Sequence, residues 1–304
     1  MEESIKLTEA ELEAALKAHR SKAGIFKIVT YGAGIAMILF AAMGLIPVSI
    51  LCLIIAMAGS WQLSRHTGAI KKMLGDNVVI GSLHRVFDTV EYDPFGKISG
   101  TEIDSAHMAF PFTHQGSGGS DLVRAAYRGL PVAFSDVELF QIDSQYDEEL
   151  QQWRDTKQRV FQGQWFVCGL DAPLSGAVRL SSSSRTLRRQ LKKSLIETAD
   201  AAFNERFLVT ADNAQEALRL LTPGLMRGIL ALADRSGGEV YMSFLPSGAL
   251  HIAVQTGRGS FELGKGKLDM DAMQKKCLRE LEWFTGMLDM LRAEGLLSAQ
   301  GDRV

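Results

Sequence analysis

Between Ile28 and Leu63 the chain runs for 36 residues without an aspartate, glutamate, lysine or arginine. A buried helix of a globular core needs far less, whereas a bilayer asks for this: its hydrocarbon layer is about 30 Å thick. One straight helix of this length would reach about 54 Å, too long for a single span at ordinary tilt. Pro47 divides the run nearly in half just after Gly44, and proline is favoured in the first turn of a helix. The expected element is a transmembrane helical hairpin over residues 25–63, turning at Gly44 to Pro47. Each arm has about 17 residues, near the lower limit for crossing, so a full span and a shallow re-entrant hairpin both fit.

The flanks orient it. Lys17, Arg20, Lys22 and Lys27 precede the run, and Arg65, Lys71 and Lys72 follow it. By the positive-inside rule both ends are expected in the cytoplasm. Tyr31 and Trp61 fall near the same interface, as belt aromatics do, and Gly32 with Ala36, and Ala56 with Ser60, offer small faces for close helix packing. Ala56-Met57-Ala58 looks like a signal-cleavage site, but the run before it is too long, and Glu2, Glu3, Glu9, Glu11 and Glu13 lie ahead of it. A retained anchor is expected.

Residues 1–24 contain Thr8 and Glu11 at capping-box spacing, then Leu12, Ala15, Leu16 and His19 at helical spacing. An amphipathic helix is expected, resting on lipid or on the rest of the protein. Residues 64–304 have ordinary globular composition, enough for one large domain or two small ones. A net charge of −2 gives no global reason to expect nucleic acid. After a polar helix over Gln62 to Met73, alternation predicts strands at Pro131 to Gln141, Arg159 to Leu170 and Phe207 to Val209. Asn213 and Glu216 suggest a second capping box opening a helix to Leu221. Thr222-Pro223-Gly224 interrupts that helix, which resumes to Asp234. A hairpin follows, with Glu239 to Leu245 and Ala249 to Thr256 joined by Pro246-Ser247-Gly248, and a helix over Asp269 to Ala293 closes the pattern. Helices interspersed with antiparallel hairpins indicate an α+β domain on the cytoplasmic side.

Several of these segments resemble the DUF3137 family. Phe203-Asn204-Glu205-Arg206-Phe207-Leu208-Val209, Asp212, and Glu216 to Pro223 are similar to its central motif, an F-x-x-x-F strand entry followed by a helix ending in L-T-P. Gly129 to Glu138 resembles an earlier strand, Phe161-Gln162-Gly163-Gln164-Trp165-Phe166 an F-x-G-x-F segment, and Ser260-Phe261-Glu262 a late F-E pair. The resemblance implies a protein anchored in a bacterial inner membrane, without an established activity. It also implies a protein partner such as a LemA-type membrane protein.

The residues themselves suggest no chemistry. Among the six histidines only His107 and His114 lie close, at a spacing that fits no standard metal motif. Cys52, Cys168 and Cys277 form no CxxC pair, as a reducing compartment allows. Gly32-Ala33-Gly34 lacks the third glycine of a dinucleotide loop, and Gly116-Ser117-Gly118-Gly119-Ser120, read as a turn before a helix, lacks a P-loop lysine. Gly264-Lys265-Gly266-Lys267 reads as a solvated loop. No cofactor, metal or catalytic residue is expected. One charge run stands out. Ser181 to Ser184 lead into Arg185, Arg188, Arg189, Lys192 and Lys193, with Leu187, Leu191 and Leu195 four apart. Such a basic amphipathic helix can lie on anionic lipid, or simply present a solvated face after a serine loop. The expectation is a non-enzymatic binding or scaffold module; the alternative is a membrane-bound enzyme whose site the sequence does not display.

Overall fold

The computed structural model describes residues 8–147, 151–260 and 269–297, so Phe261-Glu262 and Gly264 to Lys267 lie outside the described residues. These fall into two compact units: residues 8–81 with 269–274, and residues 82–260 with 275–297.

The first unit is a helical hairpin. Thr8 caps α1 (Glu9–Ala42) through the expected capping box: its hydroxyl accepts the Glu11 amide at 3.4 Å, and the Glu11 carboxylate accepts the Thr8 amide at 2.9 Å. The amphipathic segment and the first apolar arm are one continuous helix, so the boundary expected after residue 24 falls inside α1. Gly44 ends it. With φ at +75° it lets the Leu45 amide reach the Phe40 carbonyl at 2.9 Å, a Schellman stop that suits glycine. Pro47 then sits in the first turn of α2 (Ile46–Leu74), which continues through a π-helical turn (Gly75–Val79) into α3 (Ile80–Leu83). Both helices are long and apolar enough to cross a membrane. The glycine at the helix contact is Gly59, where an added Cβ would come within 2.6 Å of the Thr30 hydroxyl. Gly32, expected there, faces open space. Ser49 donates to the Met37 carbonyl across the hairpin at 3.0 Å. Nearer the chain's polar end, His19 and His66 bring their Nδ1 atoms to 3.0 Å, and the His66 ring stacks on Phe26. The apolar side of the N-terminal turns rests on protein: Leu12 and Leu16 bury against Leu74, Val78 and Met273.

The second unit is built on one antiparallel sheet, ordered β1-β2-β3-β4-β8-β7-β5-β6. Its strands are β1 (Thr89–Asp93), β2 (Gly116–Tyr127), β3 (Leu130–Asp147), β4 (Gln152–Gly169), β5 (Val178–Ser182), β6 (Phe207–Ala211), β7 (Glu239–Phe244) and β8 (Ala249–Gln255). This is the expected α+β class. Two readings of the sequence are corrected. Gly116 to Ser120 forms no loop before a helix; it is the start of β2, paired with Asp136 to Phe140 of β3. The glycines there permit close strand contact: a Cβ on Gly119, at φ +148°, would stand 2.1 Å from the Asp136 carbonyl oxygen. Ser181 and Ser182 likewise belong to β5, buried, with hydroxyls donating to the Ala109 and Val240 carbonyls. β3 and β4 also run further than their apolar alternation suggests. Beyond the reach of β2 and β8 they form a two-stranded arm, where exposed Tyr146 and Trp153 pack with ring centroids 5.5 Å apart.

Alternation gives the sheet two buried faces. On one, Trp165, Tyr241, Phe161 and Leu139 pack beneath Ile98, α4 (Gly100–Ser105) and Phe110. On the other, Phe284 of α9 (Met270–Ala293) stacks 4.5 Å from Phe166 and 5.1 Å from Phe134. The neighbouring Trp283 donates its indole N–H to the Leu232 carbonyl of α8 (Pro223–Ser236) at 3.0 Å. Thr222 caps α8 as the Thr-Pro signal implies. Asn213 caps α7 (Ala214–Leu220), but Glu216 does not complete a box; it bonds Ser175 and Arg219 instead.

Candidate functional site

The basic run lies on an excursion from the sheet edge. The chain leaves β5 with the Ser183 amide donating to the Arg206 carbonyl at 2.9 Å, and returns where the Ile196 amide donates to Val209 of β6 at 2.9 Å. Between these anchors, Ser184 accepts the Leu187 amide and opens α5 (Arg185–Gln190). The helix is six residues long, shorter than the four-residue leucine spacing to Leu195 predicts, because the chain must turn back to pair at the edge strand. Leu187 is 2% exposed and points into the core. Arg185, Arg188, Arg189, Lys192 and Lys193 are all exposed. Arg188 is held by donating to the Ser183 hydroxyl at 3.0 Å and the Asn204 carbonyl at 3.1 Å. None of the five meets a carboxylate among the described residues. The structure places all five as exposed residues of one short stretch, three on α5 and two in the turn that follows it. Leu187 is buried and Leu191 and Leu195 are half-buried, so what the run offers an external surface is mainly charge.

Other polar groups serve the fold. Tyr92 donates to Asp121 Oδ1 at 2.6 Å and Ser120 to Asp121 Oδ2 at 2.7 Å, fixing the irregularity where β2 shifts register against β3. Burial, then the Asp121 charge, raises the Tyr92 pKa, so this phenol is a donor and no base. Glu216 has its pKa lowered by the hydrogen bond from Arg219, then by that from Ser175. Burial pushes the Cys168 thiol up to about 12 and Cys277 up to about 11, leaving both protonated and unreactive. His114 bonds Asp104 at 3.2 Å. Among the described residues no three His, Cys, Asp or Glu side chains are placed to share a metal ion.

His251 carries a pH prediction. It is 2% exposed on β8 and accepts the Trp165 indole N–H at 3.3 Å; burial pushes its pKa down to about 4. The unfolded ring titrates near 6.5. Between those values the unfolded chain binds a proton that the folded chain refuses. Stability is therefore intact above about pH 6.5 and falls on acidification, by up to about 3 kcal/mol near pH 4. Melting temperature measured in detergent from pH 7.5 to 4.5 should fall more steeply in the parent chain than in His251→Gln. Parallel profiles would show that His251 does not control this range.

Residues 159–293 match the model of the DUF3137 family, described as a protein of unknown function. The match runs from within β4 to the end of α9 and includes the Phe161 and Phe203–Pro223 segments. No curated protein matches the chain. Among solved structures, the chain is similar to the crystal structure of the mycobacterial trehalose monomycolate transport factor A. The identity is 13% and the TM-score 0.35, over 69% of this chain and 90% of that one.

Proposed function

We propose that this chain, whose residues 159–293 match the DUF3137 family model, is a membrane-tethered, non-enzymatic binding or scaffold module on the cytoplasmic face of a bacterial inner membrane. The observation that carries this reading is the apolar outer surface of the hairpin. Ile28 is 75% exposed, Ile38 64% and Ile54 57%, within two helices that leave their apolar faces uncovered by protein. A water-exposed patch of that extent is unfavourable, and a bilayer removes the cost. The basic flanks support a cytoplasmic location for both ends. A reporter active only outside the cytoplasm, fused after Val304, should stay silent; a strong signal would reverse the orientation.

In this reading the five basic residues of 185–193 orient the domain on anionic lipid. Each contributes about 1 kcal/mol near such a surface, without insertion because Leu187 is buried. The test uses the full chain in nanodiscs. A fluorophore on Thr186→Cys should be quenched by headgroup quenchers in anionic discs at low salt. The effect should fade as the Debye length shrinks to about 8 Å near physiological ionic strength. Replacing the five basic residues by glutamine should abolish it, and equal quenching before and after would return the run to a solvated edge. The protein partner, a LemA-type membrane protein in this proposal, is tested by affinity purification from solubilised membranes. Recovering such a protein no better than a hairpin-only control would exclude it.

A further inference from the structure

A second basic surface lies elsewhere in the sheet-bearing unit, in a cleft of about 390 Å³. Among the described residues it is lined by Arg235 at the end of α8, Arg258 just after β8, and Lys276 and Arg279 on α9, against one carboxylate, Glu280. Gln164 of β4 and the Trp283 ring complete the wall. The Lys276 ammonium is 3.9 Å from Glu280, and Arg235 spends its Nε–H on the Ala231 carbonyl at 3.2 Å. Among the described residues the guanidinium groups of Arg258 and Arg279 have neither ion pair nor hydrogen bond. Among the described residues, Arg235, Arg258 and Arg279 bring three guanidinium groups to one small space whose lining carries a single carboxylate, already paired with Lys276. A multiply charged anion would offset that charge.

The frame around them is fixed before any ligand arrives. Gly257, at φ +69°, donates its amide to the Gln162 carbonyl at 2.9 Å, and the Thr256 hydroxyl donates to the Arg258 carbonyl at 2.7 Å. The turn that carries Arg258 is thus tied to β4. Trp283 is held through its bond to Leu232, which sets the ring against the cleft. Planar guanidinium forks match tetrahedral oxyanions bidentately, and pre-set donors reduce the ordering cost of binding. The volume exceeds what a bare phosphate fills and lies near the lower end of small-molecule pockets, about 300–1,000 Å³.

We propose that this cleft binds a phosphate-bearing ligand, with the phosphate between Arg235, Arg258, Lys276 and Arg279 and the organic part against Trp283. The phosphate comes from a lipid headgroup or from a soluble phosphate ester. The site shares no residue with the 185–193 run, so it stands or falls separately from the orienting contact.

The test titrates the full chain, in nanodiscs of neutral lipid, with glycerol 3-phosphate and with short-chain phosphatidic acid, read by calorimetry and tryptophan fluorescence. Saturable binding of at least one probe is expected, weakened about tenfold or more for Arg258→Gln combined with Arg279→Gln. Arg188→Gln with Arg189→Gln should bind as the parent does. Tighter binding of phosphatidic acid assigns the lipid source, and comparable binding assigns a soluble ester; each supports the site. Should the cleft double variant lose its circular dichroism signature, Arg235→Gln alone serves, with the same direction expected. Absence of saturable binding by both probes, or parent-like affinity in a folded cleft variant, overturns the proposal.

Discussion

Gly163→Ala should destabilise the sheet-bearing unit by at least about 3 kcal/mol, a large part of what holds an ordinary domain together. The new Cβ would lie 1.8 Å from the Val254 carbonyl oxygen and 3.0 Å from Gln255 Cα. Those are backbone atoms and cannot swing aside as a side chain can. Gly163 is also paired with Val137 on its other flank, so β4 cannot simply retreat. The clash falls beside the seam where Gln164 to Gly169 meet Ala249 to Val254, the join between the β1–β4 half of the sheet and the rest. Gly169, at the far end of the same strand, has open space where its Cβ would be; Gly169→Ala should stay within about 0.5 kcal/mol. Urea unfolding of the detergent-solubilised chain measures both. Equal midpoints for the two variants would show that the seam yields easily.

Phe207→Ala should cost about 3–5 kcal/mol. Phe203 and Phe207 are 0% and 1% exposed, with ring centroids 5.3 Å apart, where α6 (Ala201–Arg206) runs into β6. Truncating one ring leaves a cavity walled by the other, and neighbours held in a sheet collapse only partly into it. Leu218→Ala, removing a side chain 53% exposed on α7, should change little. If Phe207→Ala melts with the parent, the ring does not contribute to the core as its burial indicates.

Features set by local backbone chemistry were readable from the sequence. Gly44 and Pro47 marked the helical turn, Thr222 and Pro223 the restart of α8, and Pro246-Ser247-Gly248 the β7–β8 hairpin. The F-x-x-x-F pair, read as a strand entry, does stand where α6 runs into β6. What stayed hidden depends on partners distant in sequence. β2 opens with glycines that have poor strand propensity; they are suited to the place because β3 passes so close. α5 stops early because Ile196 must pair with Val209, a tertiary demand that outweighs the leucine spacing. The basic cleft is assembled from α8, the turn after β8, and α9, and no window of sequence displays those three segments together.

The seam between β4 and β8 also governs the order of assembly. β2, β3 and β4 are joined by short connections and close early, as does the β7–β8 hairpin, because nearby ends meet at little entropic cost. Trp165 must wait for Ala253, much later in the chain. During synthesis, β4 is therefore an unpaired apolar edge until β8 emerges, the kind of edge that templates aggregation. Its first half carries Arg154, Asp155, Lys157 and Arg159, which discourage flat pairing with a stranger. Its second half, from Phe161 to Cys168, has no such guard. If the hairpin anchors the chain as proposed, its early insertion would hold each nascent chain at its own place on the membrane, keeping these edges apart while the late strand arrives.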